Sequence, residues 1–534
     1  MKMETETILK ETRKKESIRS KINFLPVRTK SLCPECLTVI DAELNEYAGR
    51  VFMNKECPRH GLFRELISTD VRFYNLTTAR DMSRRRHIEH PIETEQAACP
   101  NGCGICSHHL SLPVMMNIDL TNRCNLNCPF CFANANKRGE VVELSIEQVS
   151  KMLDAACALD STKPVCLQYT GGEPTVHPQL LEALKEAKKR KFTQVQIATN
   201  GIKFAQEPEL AYQAAEAGLN VAYLQFDGMD DNVYIKTRGR ALLETKLRAI
   251  DNLYRASIRT VLVPTIVKGV NDDQLGAITR FAIQNIDRIV GISWQPVAFT
   301  GRIDYKQRLS QRFTIADLVR NIQEQTGFVD MYRDWYPFCF VDPFARLLEA
   351  IRKTKHTALS CHPNCGVGTY LIVDPEINKA YPIPSFVDVD RLMQKMDTAA
   401  DMLKGRKLFG KLSLLHNFHD LASYYHQEQG PRGWTFRDFI DFMMDFACFS
   451  DRYATNEDRV KVTIEKPYKI LMMASMHFQD SYNYEIDRVN RCVVHYAAPD
   501  GRIYPFCSYN SGPCHRNRVE KQFAVSMEQY AGRH

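Results

Sequence analysis

No stretch of about 18 apolar residues occurs in this chain, so no segment reads as a membrane span. The N-terminal KMETETILKETRKKES is charged and lacks an apolar h-region, which argues against a secretory signal. Neither an internal repeat nor a low-complexity segment is present. An excess of one charge is missing too: 70 Lys and Arg face 63 Asp and Glu, interleaved, for a net charge of +7. That argues only weakly for a polyanionic partner, and no nucleic acid is expected. The densest basic run, Ser83-Arg84-Arg85-Arg86-His87, reads either as a solvated helix face or as a contact for an anionic headgroup or phosphate. The expected setting is cytoplasmic, with peripheral membrane contact as a variant.

Cysteine is abundant instead. Eighteen occur in 534 residues of otherwise ordinary composition, 44% hydrophobic and 25% charged. A chain this long splits into two or three domains. In a reducing compartment, cysteines grouped as C-x2-C and C-x3-C read as metal ligands rather than disulfides. Cys157, Cys166 and Cys448 fall in apparent helix, strand and apolar helix, and read as packing residues.

Residues 1–75 form a first unit. CPEC (33–36) and CPRHG (57–61) flank VIDAELNEYAGRVFMN, a hairpin pattern turning at Ala48-Gly49. Cys33, Cys36, Cys57 and His60 are a Cys3His set for one mononuclear metal. Zinc is the default ion and iron the alternative; His60 is the weakest of the four ligands and also reads as a surface residue. Residues 76–112 are a linker bearing CPNGCGIC, with Cys99, Cys103 and Cys106.

Residues 113–300 alternate regularly. Strand-like runs at 114–121, 165–172, 194–201, 221–228, 260–269 and 291–299 are separated by helical patterns. One of these opens with a Ser145/Gln148 capping box. Six β-α units in series predict a parallel sheet with helices outside, and function at the carboxyl ends of its strands. Residues 301–534 are less regular and hold Cys339, Cys361, Cys365, Cys492, Cys507 and Cys514. Two amphipathic stretches, 407–418 and 435–449, read as core covers or as the walls of an alkyl tunnel.

The stretch RCNLNCPFCFANAN places Cys124, Cys128 and Cys131 directly after the first strand as C-x3-C-x2-C. Three thiolates suit a [4Fe–4S] cluster with one iron left open. This stretch resembles the signature of radical S-adenosylmethionine (SAM) enzymes. In that family the open iron chelates SAM, and one electron yields a 5′-deoxyadenosyl radical. The resemblance extends to Gly171-Gly172-Glu173-Pro174 at the end of the second strand, where the family meets the SAM amino group. It implies roles for Phe130 near adenine, for Asn200, Gln225 and Asp227 at the same mouth, and for Asn271 in the region used for ribose or carboxylate contacts. The fold implied is α/β: a partial (β/α)6 barrel radical SAM core, with an N-terminal rubredoxin or zinc-knuckle-like module and a C-terminal α+β iron–sulfur region.

CPNGCGIC has the same spacing but precedes the first strand. It reads as an auxiliary [4Fe–4S] site, with a zinc knuckle as the alternative, and takes a fourth ligand from elsewhere, Cys339 or Cys514. Cys361, Cys365, Cys492 and Cys507, the last two flanking a hairpin that turns at Pro499-Asp500-Gly501, resemble a second auxiliary site. The whole arrangement is similar to one narrow group of radical SAM proteins: tetraether and membrane-spanning lipid synthases, and class D methylases linked to pterin biosynthesis. The first implied function is C–C coupling of unactivated alkyl carbons of lipids. The alternative is methylation of a pterin or similar small molecule with a folate-type one-carbon donor. An iron–sulfur electron relay without catalysis is a third reading. A reduced flavodoxin or ferredoxin is the implied electron donor.

Overall fold

A computed structural model describes residues 24–91, 99–136, 139–159, 164–353, 355–356, 358–405, 421–441 and 468–532. The first unit is a four-stranded antiparallel ribbon of β1 (Val27–Leu32), β2 (Val39–Tyr47), β3 (Arg50–Cys57) and β4 (Gly61–Ser68), paired in that order. The β2–β3 turn falls where expected. Tyr47 pairs with Arg50, and Ala48 and Gly49 both take positive φ, 49° and 72°, as a two-residue hairpin turn requires.

The alternating region folds as read. Strands β5 (Met115–Thr121), β6 (Cys166–Gly171), β7 (Gln194–Thr199), β8 (Val221–Gln225), β9 (Arg259–Val263) and β10 (Ile289–Pro296) lie side by side in chain order. All five pairings are parallel. Helices α1 (Ile146–Ala158), α2 (Leu180–Lys189), α3 (Pro208–Ala217), α4 (Asp231–Arg238), α5 (Leu243–Arg255) and α6 (Leu275–Gln284) connect them. Ser145 and Gln148 form the predicted capping box at the start of α1. Strand periodicity sorts the side chains: Met116, Ile118 and Leu120 of β5 join the helix-facing core, so Met115, Asn117 and Asp119 face the opposite side.

That opposite side is the lumen of a curled sheet. Past residue 300 the chain returns to extend it at both edges. β11 (Gly366–Asp374) pairs antiparallel with β12 (Lys469–Met476), which pairs parallel with β10. At the other edge β13 (Val494–Ala497) pairs parallel with β5, and β14 (Ile503–Pro505) closes the predicted Pro499-Asp500-Gly501 hairpin. The C-terminal region is therefore built into the core sheet. Curling is visible in one pair: Tyr370 on β11 lies close enough to shift the ionisation of Tyr223 on β8. The two strands are four steps apart, roughly 19 Å across a flat sheet.

The basic run is not a helix. Residues 81–88 are irregular; Arg84 pairs with Asp397 and Asp401, and Arg86 with Asp342 and Glu349. Side-chain ion pairs with acidic residues far away in sequence hold this conformation, which local spacing does not encode. No helix among the described residues is long and apolar enough to cross a membrane. Of the two amphipathic stretches, 407–418 lies outside the described residues, as do Met443, Phe446, Ala447 and Cys448. Phe436, Phe439 and Ile440 pack into a core cluster with Phe386 and Tyr425, which is the covering role rather than a tunnel wall.

Candidate active site and metal centres

In the ribbon, the sulfur and nitrogen atoms of Cys33, Cys36, Cys57 and His60 all lie within 4.8 Å of one another. Cys36 Sγ is 3.8 Å from Cys57 Sγ, and His60 Nδ1 is 3.4 Å from Cys33 Sγ and 3.5 Å from Cys57 Sγ. A tetrahedral zinc with Zn–S near 2.3 Å and Zn–N near 2.05 Å puts such pairs about 3.8 and 3.6 Å apart. The four donors fit one tetrahedral ion, and His60 is part of the set rather than a bystander.

The Cys124–Cys128–Cys131 loop leaves the carboxyl end of β5. Its three thiols are close enough to perturb one another, and burial pushes Cys124 up to about 12. Three half-buried, neighbouring sulfurs coexist as thiolates when a metal cluster supplies the compensating charge. The donor set therefore fits the iron–sulfur cluster that the motif implies.

The loop is held by residues far away in sequence. Arg238 at the end of α4 donates from Nη1 to the Phe130 carbonyl at 3.0 Å. Its Nε and Nη2 form a two-pronged pair with Asp227 at 2.6 and 2.9 Å. Arg302 donates to the Cys128 carbonyl at 2.8 Å, and its backbone N–H donates to the Cys131 carbonyl at 2.9 Å. Asn136 bridges the Cys124 N–H and carbonyl at 3.0 and 2.9 Å. Sequence reasoning singled out none of these three for a role, and Arg238 and Arg302 carry no local motif.

Gly171-Gly172 seats the second strand against this loop. Gly172 N–H donates to the Thr121 carbonyl and Glu173 N–H to the Arg123 carbonyl, both at 2.8 Å. A Cβ at Gly171 would fall 2.2 Å from the Thr121 oxygen, and one at Gly172 2.2 Å from the Arg123 oxygen. The glycines thus permit backbone-to-backbone packing under the cysteine loop. Gly172→Ala is expected to cost about 1–3 kcal/mol of stability by overpacking and to lower bound iron, read by denaturant melts and iron content.

Several residues expected at the cofactor brace this mouth. Glu173 is buried and accepts four hydrogen bonds: from Thr175 N and Oγ1 at 3.1 and 2.6 Å, Thr199 Oγ1 at 2.8 Å and Asn200 N at 2.7 Å. Pro174 is buried at the head of a short 3-10 turn. Asn271 donates to the Asp227 and Thr265 carbonyls, each at 2.9 Å, and accepts from Val267 N at 2.9 Å. Both oxygens of Asp227 are taken by Arg238, Thr237 and the Thr265 N–H. These three carboxylate and amide groups fix the strand ends. Phe130 packs against Val267, Val297, Phe299 and Ile303, an apolar patch suited to a flat base. Asn200 Nδ2 donates to Asn125 Oδ1 at 2.6 Å. Buried Lys246 donates to the Asn200 carbonyl at 2.6 Å and to Gln225 Oε1 at 2.8 Å, while Gln225 Nε2 is buried with no partner. Burial lowers Lys246 to about 7. The lumen below is mixed: Asn117, Gln168, Gln194, Gln196 and Tyr223 face it beside Met115, Val261 and Met472, and Tyr370 at its edge packs on an apolar cluster.

The remaining cysteines gather in two sets. Cys99 feels Cys103 and Cys106. Cys492 feels Cys507 and Cys365, Cys361 feels Cys365, and Cys361 shares an apolar cluster with Cys492. The two candidates for a fourth ligand part company. Cys339 lies beside Cys361, away from the role considered for it. The segment after Cys514 reaches the other set, with His515 Nε2 3.0 Å from the Pro100 carbonyl. Ser508, next to Cys507, donates to Cys103 Sγ at 3.2 Å, so the two sets adjoin. Phe506 packs on Phe132, the residue after Cys131, with ring centroids 6.0 Å apart. The C-terminal set thereby connects to the Cys124–Cys131 loop.

The ribbon docks over this region. Lys55 donates to Ser31 Oγ, the Leu32 carbonyl and the Ser481 carbonyl at 3.0, 2.8 and 3.2 Å. Leu32 packs with Tyr484, Ile486 and Val489 against Cys99 and Cys507. Arg312 ties Glu65 of β4 to Asp480 at 2.6 and 2.9 Å. Burial lowers the Lys55 ammonium to about 8, against about 10.4 in an unfolded chain. Between these values the unfolded chain keeps the proton that the native protein releases, so stability rises with pH from about 8 to about 10.4. Lys55→Met is expected to lack that rise, measured by denaturation midpoints at both ends of the window.

Comparison with known proteins agrees with this architecture. Residues 118–282 match the Radical SAM superfamily, and residues 25–69 match the HMPTM N-terminal zinc ribbon domain. The chain is 38% identical over 95% of its length to 7,8-dihydro-6-hydroxymethylpterin dimethyltransferase of Methanocaldococcus jannaschii, covering 97% of that protein. It is 25% identical over 41% of its length to GTP 3',8-cyclase of Clostridium acetobutylicum, covering 69% of it. Among solved structures, Streptococcus suis SuiB bound to S-adenosylmethionine matches 40% of this chain and 47% of its own at 19% identity, TM-score 0.33. SAM and a [4Fe–4S] cluster are the cofactors that this superfamily implies. The chain is therefore a radical SAM enzyme, and it belongs to the pterin dimethyltransferase-like family that carries the HMPTM zinc ribbon.

Proposed function

We propose that this enzyme methylates a dihydropterin, 7,8-dihydro-6-hydroxymethylpterin or a close analogue. The observation that carries the reading is similarity along nearly the whole of both chains to the dimethyltransferase, at 38% identity over 95% of this one. The lumen supports the same choice. A groove for two alkyl chains needs a dry apolar lining, and burying unpaired amides against alkyl groups is costly. Lipid coupling, the first function considered from sequence, is set aside on these grounds, and lipid biosynthesis with it.

When bound, SAM and its cluster supply a carbon-centred radical able to take hydrogen from an unactivated C–H bond. Cys124, Cys128 and Cys131 would hold that cluster, and Phe130 with its apolar patch would seat the adenine. Glu173, Asp227 and Asn271 keep the strand ends in register beneath SAM. Lys246 and Gln225 present hydrogen-bonding groups at the mouth. We assign the two further cysteine sets to auxiliary clusters: Cys99, Cys103 and Cys106 completed by Cys514, and Cys361, Cys365, Cys492 and Cys507. A reduced flavodoxin or ferredoxin is proposed as donor. The organisation proposed is a metal module at 1–75, a linker at 76–112, a core at 113–300 and a cluster-bearing, substrate-covering region at 301–534.

The test is anaerobic incubation with SAM, reductant, a folate-type one-carbon donor and 7,8-dihydro-6-hydroxymethylpterin, with product masses recorded. One and two added methyl groups are expected. An unchanged pterin in an incubation that cleaves SAM would overturn the reading.

A further inference from the structure

Asn117, Gln168 and Gln196 stand at paired register positions on three adjacent strands. Their side chains form one directed chain. Gln194 Nε2 donates to Gln196 Oε1 at 2.6 Å, Gln196 Nε2 to Gln168 Oε1 at 2.7 Å, Gln168 Nε2 to Asn117 Oδ1 at 2.8 Å, and Asn117 Nδ2 to the His495 carbonyl at 3.0 Å. No amide in this chain can flip alone, because a flip would set donor against donor or, at Gln194, acceptor against acceptor. Each primary amide offers two N–H groups and two acceptor positions. Gln196 Nε2 also reaches Met115 Sδ at 4.0 Å, whereas Asn117 and Gln168 each spend one donor in the chain and keep a second N–H, on neighbouring strands about 4.8 Å apart.

The space above this row is shaped by the next layer of inward residues. Ala198, Tyr223, Val261, Gly291, Met472 and Tyr370 are in register across five successive pairings. Ala198 keeps its position small, Met472 packs over Gly291, where a Cβ would fall 3.1 Å from its methyl, and Tyr223 and Tyr370 lie near enough to interact electrostatically. One layer nearer the mouth, Gln225 holds a buried Nε2 with no partner. A rigid amide floor, two aromatic walls and an orphan donor together describe a site that hydrogen-bonds a flat ring. Such a chain of amides has no reason to line an alkyl channel.

From this juxtaposition we infer that Asn117, Gln168 and Gln196, flanked by Tyr223 and Tyr370, read the edge of the substrate. The ligand class is a flat, neutral nitrogen heterocycle with amino, ring N–H and oxo groups side by side. This rests on the pterin reading above and adds the residues that recognise the ring. The row lies three or four residues below the ends of its strands, about 10–13 Å. A ring held by that edge points its far end at the mouth, where the cysteine loop stands.

The experiment is equilibrium dialysis of 7,8-dihydro-6-hydroxymethylpterin against anaerobic reconstituted full-length protein. Wild type is compared with the near-isosteric Gln168→Met and Gln196→Met and with Tyr223→Phe, and iron content and cluster absorbance report folding. Each Met variant is expected to bind about tenfold more weakly or worse. Should a Met variant fail to reconstitute, Tyr223→Phe, which removes one hydroxyl and keeps the ring, is expected to weaken binding severalfold. Wild-type protein that binds the dihydropterin, with folded variants that bind it equally well, overturns the recognition row alone. Wild-type protein that cleaves SAM yet binds no dihydropterin overturns the pterin reading as well.

Discussion

Changing Cys124, Cys128 and Cys131 together to Ala is expected to remove about one four-iron cluster and to reduce SAM cleavage to background. The effect is near-total because these sulfurs sit on the loop that packs on the Gly171-Gly172 segment at the strand ends. Replacing Cys99, Cys103 and Cys106 should cost a similar amount of iron, leave SAM cleavage in place and abolish methylated product. Iron analysis and release of 5′-deoxyadenosine under reducing conditions separate the two. Cleavage that survives the first triple replacement would move the active site to the other cysteine set.

The second large effect is expected at Asp227. Burial works to raise this carboxyl, and the Arg238 guanidinium beside it more than offsets that, holding it below the usual carboxylate range. Asp227→Ala strands the buried Arg238 charge and is expected to cost about 3–5 kcal/mol of stability. The damage should reach the cluster, because Arg238 also holds the Phe130 carbonyl in the cysteine loop. Iron content is therefore expected to fall with the denaturation midpoint. The double variant Asp227→Leu with Arg238→Met removes both charges and should recover much of the stability, though less of the iron. A single variant within 1 kcal/mol of wild type, on the scale of an exposed pair, would show that the pair is not a structural keystone. The sign with pH follows from the depressed carboxyl. The pair's contribution is present above the ordinary value of about 3.9 and is lost as pH falls through the lower native value.

The two functional readings weighed from sequence differ in what the lumen must be. Coupling alkyl chains asks for a dry channel, and methylating a pterin asks for hydrogen-bonding groups around a flat ring. Motifs could not decide between them, since both use the same cysteine loop, the same glycine pair and the same extra cysteines. The lumen residues are visible in the sequence as Asn117, Gln168 and Gln196, but each is one polar letter at an inward position, and nothing local links the three. Only when β5, β6 and β7 are set in register do they join into one row.

The sequence by itself determined the elements and the chemistry that depends on short spacings. The ribbon turn at Ala48-Gly49, the six core strands, the capping box at Ser145 and the Cys3His set were all legible. A turn, a strand or a pair of ligands is fixed by residues within a few positions of one another. The tertiary structure decided everything carried by distant pairs. It made Glu173, Asp227 and Asn271 braces of the strand ends, and it brought Arg238 and Arg302 to the cysteine loop. It also wove β12 and β13 into opposite edges of the core sheet and placed Cys339 beside Cys361 rather than Cys99. Residue identity sets which hydrogen bonds and ion pairs a side chain can make. Which partner it meets depends on how the sheet curls, and that is a property of the whole chain.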